Sequence, residues 1–299
     1  MKYLVTGVTG FIGSHFAKKI HLDGGQVIGV VRNLSSKKDT QKLPPNITYI
    51  DVESDFTDFF SKHMDLDAII HFATDYGRQD DNLSRLMESN VIFPLKILEA
   101  NNKINKIPFL NMDTYFGKIS QYGYLQNYTF SKEILRKILK EHFCLSGITI
   151  INIVLEHVYG PFDSPGKFTE RLLLDLTNGK DSIDLTLGEQ KRDFVYIDDV
   201  VSALQTILAS EEILRKKQFE EVSIGTGLSL SIREFVERAK ELSKSNAILN
   251  FGKIPYRKNE LMDSVAEIDF LKSQGWNPKY SIDLGLKDYL EKMKTSDSK

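Results

Sequence analysis

Thr6-Gly7-Val8-Thr9-Gly10-Phe11-Ile12-Gly13 lies between the short apolar run Tyr3-Leu4-Val5 and a stretch with helical spacing over 12–23. Gly7 permits a tight turn, Gly10 lets backbone amides approach a pyrophosphate, and Gly13 allows a helix to pack closely on a strand. The helix that opens at Phe11 and Ile12 would offer free N–H groups and the positive end of its dipole to phosphate. Three glycines at this spacing are weak evidence alone. Between a strand and a helix they point to a dinucleotide-binding turn.

Outward from this turn, apolar β-branched runs recur at Val27-Ile28-Gly29-Val30-Val31, Ile47–Ile50, Ala68–Ile70, Pro108–Leu110 and Ile148–Ile151. Helical patterns near 12–23, 82–103 and 128–143 alternate with them. Six strands separated by helices predict βαβ crossovers and an α/β fold, a Rossmann-type doubly wound parallel sheet. After Tyr159-Gly160-Pro161 the alternation weakens. A helix, a short strand near 183–187, a helix entered at Asp198-Asp199 (both read as N-terminal caps), a strand at Val222–Ile224 and a helix over 231–242 follow. A Trp276-Asn277-Pro278 turn and a polar tail at 294–299, expected to fray, close the chain. We assign 1–165 and 188–225 to the dinucleotide-binding domain, and 166–187 and 226–299 to a smaller, partly interleaved C-terminal substrate lobe.

The second strand ends Val30-Val31-Arg32-Asn33, where an NAD site of this fold usually carries an acid for the ribose hydroxyls. A carboxylate would repel a 2′-phosphate, whereas a guanidinium holds one with two donors. Arg32 therefore favours NADP(H), with NAD(H) left open. Asp51, after the third strand, is a candidate acceptor for the adenine amine.

Tyr128-Thr129-Phe130-Ser131-Lys132 places a phenol and an ammonium on one face of the helix after the fifth strand. Carbonyl reduction needs a proton donor at oxygen while hydride arrives at carbon. An ammonium nearby is expected to favour the phenolate and bring the phenol down from its ordinary value near 10. One Tyr-x-x-x-Lys is expected by accident in such a chain; its position beyond the strands' carboxyl ends singles this one out.

The bulk composition excludes other classes. The 299 residues carry a net charge of -2 with both signs dispersed, unlike a nucleic-acid-binding surface. Local basic runs such as Lys37-Lys38 read as solvated faces. The single Cys144, near a helix end, forms no intramolecular disulfide and fits a reducing compartment. No signal peptide has room before the first strand, and no apolar run approaches the roughly 20 residues of a membrane span. The expectation is a cytoplasmic protein without membrane association. Six scattered histidines show no paired spacing, so no metal site is expected.

Thr6–Gly13, Ile70-His71-Phe72-Ala73, Asn90-Val91, Tyr128 with Lys132, Val158-Tyr159-Gly160-Pro161 and Arg192-Asp193-Phe194-Val195-Tyr196-Ile197-Asp198-Asp199-Val200 together resemble the extended short-chain dehydrogenase/reductases. That family holds nucleotide-sugar epimerases, dehydratases and reductases. More narrowly, Phe72-Ala73-Thr74-Asp75-Tyr76-Gly77, Leu155-Glu156-His157, Gly188-Glu189-Gln190 and Gly275-Trp276-Asn277-Pro278 are similar to the 4-keto sugar-nucleotide reductases of the abequose-synthase type. The resemblance implies that Val52, Phe72, Ala73, Thr74 and Asn90 join the glycine turn in holding the cofactor. It likewise implies that Asp75, Tyr76, Asp113, His157, Arg192 and Arg257 serve the nucleotide sugar. The two arginines would hold its diphosphate, whose oxygens suit planar guanidinium groups. His71 is read as packing under the cofactor; for His157, contact with substrate and plain packing are equally open.

One departure stands out. Such enzymes place a Ser or Thr five residues before the glycine ending this segment, and counting back from Gly117 gives Met112. Thr114 is then the available hydroxyl. Dehydratases of the family carry an Asp-Glu pair where this chain has Asp113-Thr114, which disfavours elimination. The expected activity is NADPH-dependent reduction of a nucleotide-activated 4-keto-6-deoxyhexose in deoxysugar biosynthesis, CDP-4-keto-3,6-dideoxyglucose being the first expected substrate. A nucleotide-sugar 4-epimerase retaining NAD and a non-catalytic NADP-binding protein are the alternatives. Similar enzymes dimerise through helices matching 82–103 and 128–143, so a homodimer is expected; Leu83, Met87, Ile134 and Ile138 suit it, though core packing explains them equally.

Overall fold

In a computed structural model, residues 1–33, 43–45, 47–78, 82–118 and 125–296 are described, without the side chains of 143–145 and 295–296. The expectations on Lys37-Lys38, on the Cys144 side chain and on residues 297–299 of the tail lie outside the described residues.

The strands in chain order are β1 (Lys2–Thr6), β2 (Gln26–Val31), β3 (Thr48–Asp51), β4 (Ala68–His71), β5 (Phe109–Thr114), β6 (Ile150–Leu155), β7 (His157–Tyr159), β8 (Ser182–Asp184), β9 (Lys191–Arg192), β10 (Phe194–Tyr196), β11 (Phe219–Ile224), β12 (Leu230–Ser231) and β13 (Ile248–Asn250). Seven of them form one sheet in the order β11-β6-β5-β4-β1-β2-β3. From β3 to β5 the neighbours run parallel. The order reverses between β1 and β4, and in open α/β sheets ligands bind outside the strand ends at such a switch point. Every residue of β4, β5 and β6 is buried, which is why these strands read as continuous apolar runs. Leu4, Ile28, Ile69, Phe109 and Ile150 meet Phe60 of the helix Phe56–Lys62, Ile97 and Leu98 of the helix Phe93–Ile104, and Leu135 and Leu139 of the helix Gln126–Ser146. β11 makes a seventh strand beyond the six expected for the sheet.

The helix expected over 82–103 is three pieces. Asn82 caps a short α-helix, Leu83–Met87, by accepting from the Arg85 N–H. A π-helical turn, Glu88–Ile92, follows before α geometry resumes at Phe93. Pro94 lacks the N–H that an α ladder would donate to the Asn90 carbonyl, and there the regular ladder gives way.

The chain divides into two compact units. The first holds Met1–Lys118, Leu125–Val154 and Leu204–Val222; the second holds Leu155–Ala203 and Ser223–Lys299. The stretches 155–165 and 188–203, expected with the sheet domain, thus fall in the second unit. Their strands explain it: β7 pairs with β10 in a separate parallel ribbon, His157 opposite Phe194 and Tyr159 opposite Tyr196. Tyr159, Phe194, Tyr196 and Phe235 pack as an aromatic cluster on this ribbon. The capping role expected of Asp198 and Asp199 needs correction. Asp199 accepts from the backbone N–H groups of Lys279 and Tyr280, both at 2.9 Å, and Asp198 takes Lys292 and the Tyr280 hydroxyl at 3.3 Å. Both carboxylates tie down later chain rather than their own helix.

Candidate active site

At the carboxyl end of β1, Gly7 adopts φ +64°, and a Cβ there would lie 2.6 Å from the Ala73 nitrogen. A Cβ on Gly13 would run into the Gly7 carbonyl, so the helix Phe11–Leu22 rests directly on the turn. Gly10 donates to the Gly7 carbonyl at 2.9 Å and supplies no side-chain cap, and the helix has no acid in its first turn. Its first N–H groups, those of Phe11, Ile12 and Gly13, have no acceptor within the helix. This cradle fits the pyrophosphate of a dinucleotide. Arg32 is exposed one residue past β2. Asp51 closes β3 opposite Val31, with one carboxylate oxygen accepting from the Glu53 N–H at 3.0 Å. Val52 donates to the Val31 carbonyl at 3.0 Å.

Beneath the turn, the buried Thr6 hydroxyl bonds His71 Nδ1 at 2.7 Å and receives the Ala73 N–H at 3.2 Å. Burial, then the nearby Lys132 charge, pushes the His71 imidazole well below its usual range, leaving it neutral. It positions the segment running through Phe72, Ala73 and Thr74, all half-buried.

Tyr128 and Lys132 emerge from the first turns of the helix Gln126–Ser146, and both are buried. Thr114, at the end of β5, brings its side chain beside the Tyr128 hydroxyl, and its Oγ1 receives the Phe116 N–H at 3.3 Å. Lys132 Nζ donates to the Met112 carbonyl at 2.8 Å. Met112 therefore contributes its backbone, while the hydroxyl beside the phenol is that of Thr114. The expected lowering of the phenol by the lysine is not what the structure has. Burial pushes Tyr128 well above its ordinary value, Tyr76, Asp113 and Tyr115 add to the shift, and the Thr114 side chain opposes it. Lys132 is itself brought down to about 8 by burial, Asp113 acting the other way. Its ammonium is committed to the Met112 carbonyl.

Asp113, assigned to substrate from sequence, is wholly enclosed. It accepts from Thr114 N–H at 2.8 Å and Asn152 Nδ2 at 2.9 Å, and it pairs with Arg136 at 3.2 Å. Asn111 extends the row by donating to Asn152 at 2.7 Å. These bonds hold Asp113 within the protein, next to Thr114. Arg136 and Asn152 were missed; the available signal was polar residues at 111, 113 and 152 inside runs that otherwise read as buried strand.

Asn90, expected at the cofactor, and Asp75, expected at the substrate, are likewise bonded within the protein. Asn90, fully buried in the π turn, accepts from the Asp75 N–H and donates to the Asp75 carbonyl, both at 2.8 Å, and to Ser131 Oγ at 2.9 Å. Both its donors reach protein acceptors. The Asp75 carboxylate receives the Gly77 N–H at 2.8 Å and pairs with Arg85 at 3.2 Å. Between them Tyr76 lays its ring against Tyr128, centroids 4.8 Å apart and planes at 32°.

The second unit carries the remaining residues. Arg192 is buried and pairs with Glu260 at 2.6 Å, its guanidinium also donating to the Lys191 carbonyl at 2.7 Å. Arg257 is exposed. His157 packs edge-on against Phe194, and burial beside Arg192 and Lys167 brings it down to about 3, so it is neutral. Asp193, unassigned from sequence, takes the Thr226 and Gly227 N–H groups and the Ala266 N–H, tying two segments to its own. Among the described residues no group of three His, Cys, Asp or Glu is placed to hold a metal, and no helix is long and apolar enough to cross a membrane.

Residues 3–225 match the NAD dependent epimerase/dehydratase family. A CDP-abequose synthase of Salmonella muenchen is 34% identical over 294 residues, covering 97% of each chain. The crystal structure of UDP-glucose 4-epimerase from Thermotoga maritima with UDP-glucose superposes with a TM-score of 0.85 at 24% identity, covering 99% of both chains. UDP-glucuronic acid 4-epimerase from Bacillus cereus, in complex with UDP-glucuronic acid and NAD, gives 0.83 at 22% identity, covering 99% of this chain and 100% of that one.

Proposed function

Since the chain belongs to the NAD dependent epimerase/dehydratase family, we propose that it is an NADPH-dependent reductase of a nucleotide-linked 4-keto-6-deoxyhexose. CDP-4-keto-3,6-dideoxyglucose is the proposed substrate, in keeping with the likeness to CDP-abequose synthase. Gly7, Gly10, Phe11, Ile12 and Gly13 would cradle the pyrophosphate, and Arg32 the 2′-phosphate. The bound nicotinamide would supply hydride to the carbonyl carbon. Tyr128 gives its proton to the carbonyl oxygen as that bond forms, and Thr114 orients the phenol. Lys132 fixes the segment at Met112 and keeps positive charge beside the donor. In the second unit Arg257 and Arg192 would take the diphosphate, Arg192 by exchanging part of its pairing with Glu260.

The observation that carries this reading is the buried Tyr128 phenol, beside Thr114 and one helical turn from the buried Lys132. A phenol pushed above its ordinary value holds its proton at neutral pH. It is a stocked donor, as reduction requires. Tyr128→Phe is expected to bind NADPH as the parent does and to lose at least about 10³-fold in turnover, the upper part of the range for a positioned acid. The measurement is NADPH absorbance against sugar nucleotide formed. Full activity in the variant would remove Tyr128 from the chemistry. Inversion at C4 without net NADPH loss would mean an epimerase, and tight NADPH binding without turnover on any sugar nucleotide would mean a binding protein.

We further propose a homodimer through the segments 83–92 and 126–146, where Leu83, Ile92 and Phe130 are exposed. Met87, Ile134 and Ile138 pack partly on the core. Sedimentation of the purified chain decides it.

A further inference from the structure

The loop after β4 has no regular structure from 72 to 77, yet it is pinned at almost every step. Ala73 is bonded to Thr6, Asp75 is gripped through both backbone groups by Asn90, and the Asp75 carboxylate closes on Gly77 N–H and Arg85. Gly77 is buried with φ +68°, a backbone state that other residues rarely adopt. Asn90 also reaches Ser131 Oγ, and Ser131 Oγ donates to the Tyr128 carbonyl at 2.7 Å. One buried amide thus locks the loop to the helix turn that bears the phenol. The residue held between these fixings is Tyr76.

We propose that Tyr76 is a positioning residue for the proton donor: its ring, 4.8 Å from that of Tyr128, holds the phenol beside Thr114 and shuts water away from it. This rests on Tyr128 being the donor. The Arg78 guanidinium lies 5.0 Å from the centroid of the Tyr76 ring, a cation–π distance that steadies the ring. The groups acting on the phenol are Tyr76 of this loop and Thr114, Asp113 and Tyr115 at the β5 end, while Lys132 Nζ is turned to the Met112 carbonyl. The Tyr76 ring, rather than its hydroxyl, does the work, so Tyr76→Phe should resemble the parent and Tyr76→Ala should not.

The test compares Tyr76→Phe, Tyr76→Ala and Tyr76→Leu with the parent and with Tyr128→Phe, in the full chain. With NADPH and the CDP-linked 4-keto sugar, Ala and Leu should lower kcat about tenfold, corresponding to ~1.4 kcal/mol and within reach of an aromatic pair. KM and the NADPH Kd should stay within about threefold, and Phe should keep kcat within about threefold. The alkaline limb of kcat should move to lower pH in Ala and Leu, because a donor opened to water gives up its proton sooner. A second readout needs no substrate: nitration of Tyr128 by tetranitromethane, followed by peptide mass spectrometry, should be faster in Ala and Leu than in the parent or Phe. Equal losses in Phe and Ala, or a rise confined to KM, would make Tyr76 a substrate contact and overturn the proposal. So would unchanged nitration of Tyr128. If Tyr128→Phe were active, the donor assignment itself would fail, an outcome separate from any Tyr76 result.

Discussion

Thr114 carries the hydroxyl beside the phenol proposed as proton donor, while the residue two places earlier gives its carbonyl to Lys132. Thr114→Val is therefore expected to lower kcat by about 10²-fold, typical of losing one aligned donor, with Thr114→Ser close to the parent. Steady-state rates of the three proteins decide it. Arg32, exposed past β2, is expected to set the dinucleotide preference. Arg32→Glu should move the NADPH-to-NADH ratio of kcat/KM at least tenfold toward NADH, since a carboxylate repels the 2′-phosphate; an unchanged ratio would place that phosphate elsewhere. At this scale the Tyr128/Lys132 pair was legible because four residues apart means one helix face, and Thr114 because counting back from Gly117 exposed the substitution at 112. The direction of the Tyr128 shift was not legible. It depends on burial and on where the Lys132 ammonium is spent, and neither has a signature in spacing.

Among the elements, β5 and β6 show how apolar runs hide a polar device. Asn111, Asp113 and Asn152 share one buried row that ends on Arg136, four residues beyond Lys132 on the same helix. Asp113 accepts from Asn152 across 39 residues of chain, a partnership that no local pattern announces. Removing one member of a buried pair leaves the other charged and unmatched. Arg136→Leu should thus cost about 3 kcal/mol of stability, read from urea melts, and should slow turnover by loosening Thr114. Unaltered stability would mean that Asp113 finds its partners without Arg136. The strands themselves were readable from their β-branched runs, and the glycine turn from its position. The helix at 82–103 was read as continuous because its apolar spacing survives the π turn at Glu88–Ile92, where Pro94 interrupts the hydrogen bonds rather than the hydrophobic face.

For the whole molecule, one buried acid gives a pH signature. Glu170, beside Asp163 and Lys167, accepts from the Tyr289 hydroxyl at 3.1 Å, and burial pushes it up to about 7. The folded chain then holds this proton more tightly than the unfolded chain. The contribution is complete below the unfolded value near 4.5 and is lost as pH rises through about 7. Glu170→Gln, which cannot ionise, should gain urea resistance relative to the parent between pH 5 and pH 8; a constant difference would show that Glu170 does not titrate there. The division of the chain was only partly legible, since the ribbon of β7 and β10 looks like any pair of sheet strands until it is seen to pair with itself. The order of the large sheet carries a consequence for synthesis. β6, Ile-Ile-Asn-Ile-Val-Leu with Asn152 its one polar residue, is flanked by β5 and β11, and β11 is reached only at Phe219–Ile224. On the ribosome, or in any fragment cut short of that point, β6 is a bare sheet margin of the kind that recruits other chains. Nascent copies should need a chaperone's shelter, and shortened ones should appear in inclusion bodies.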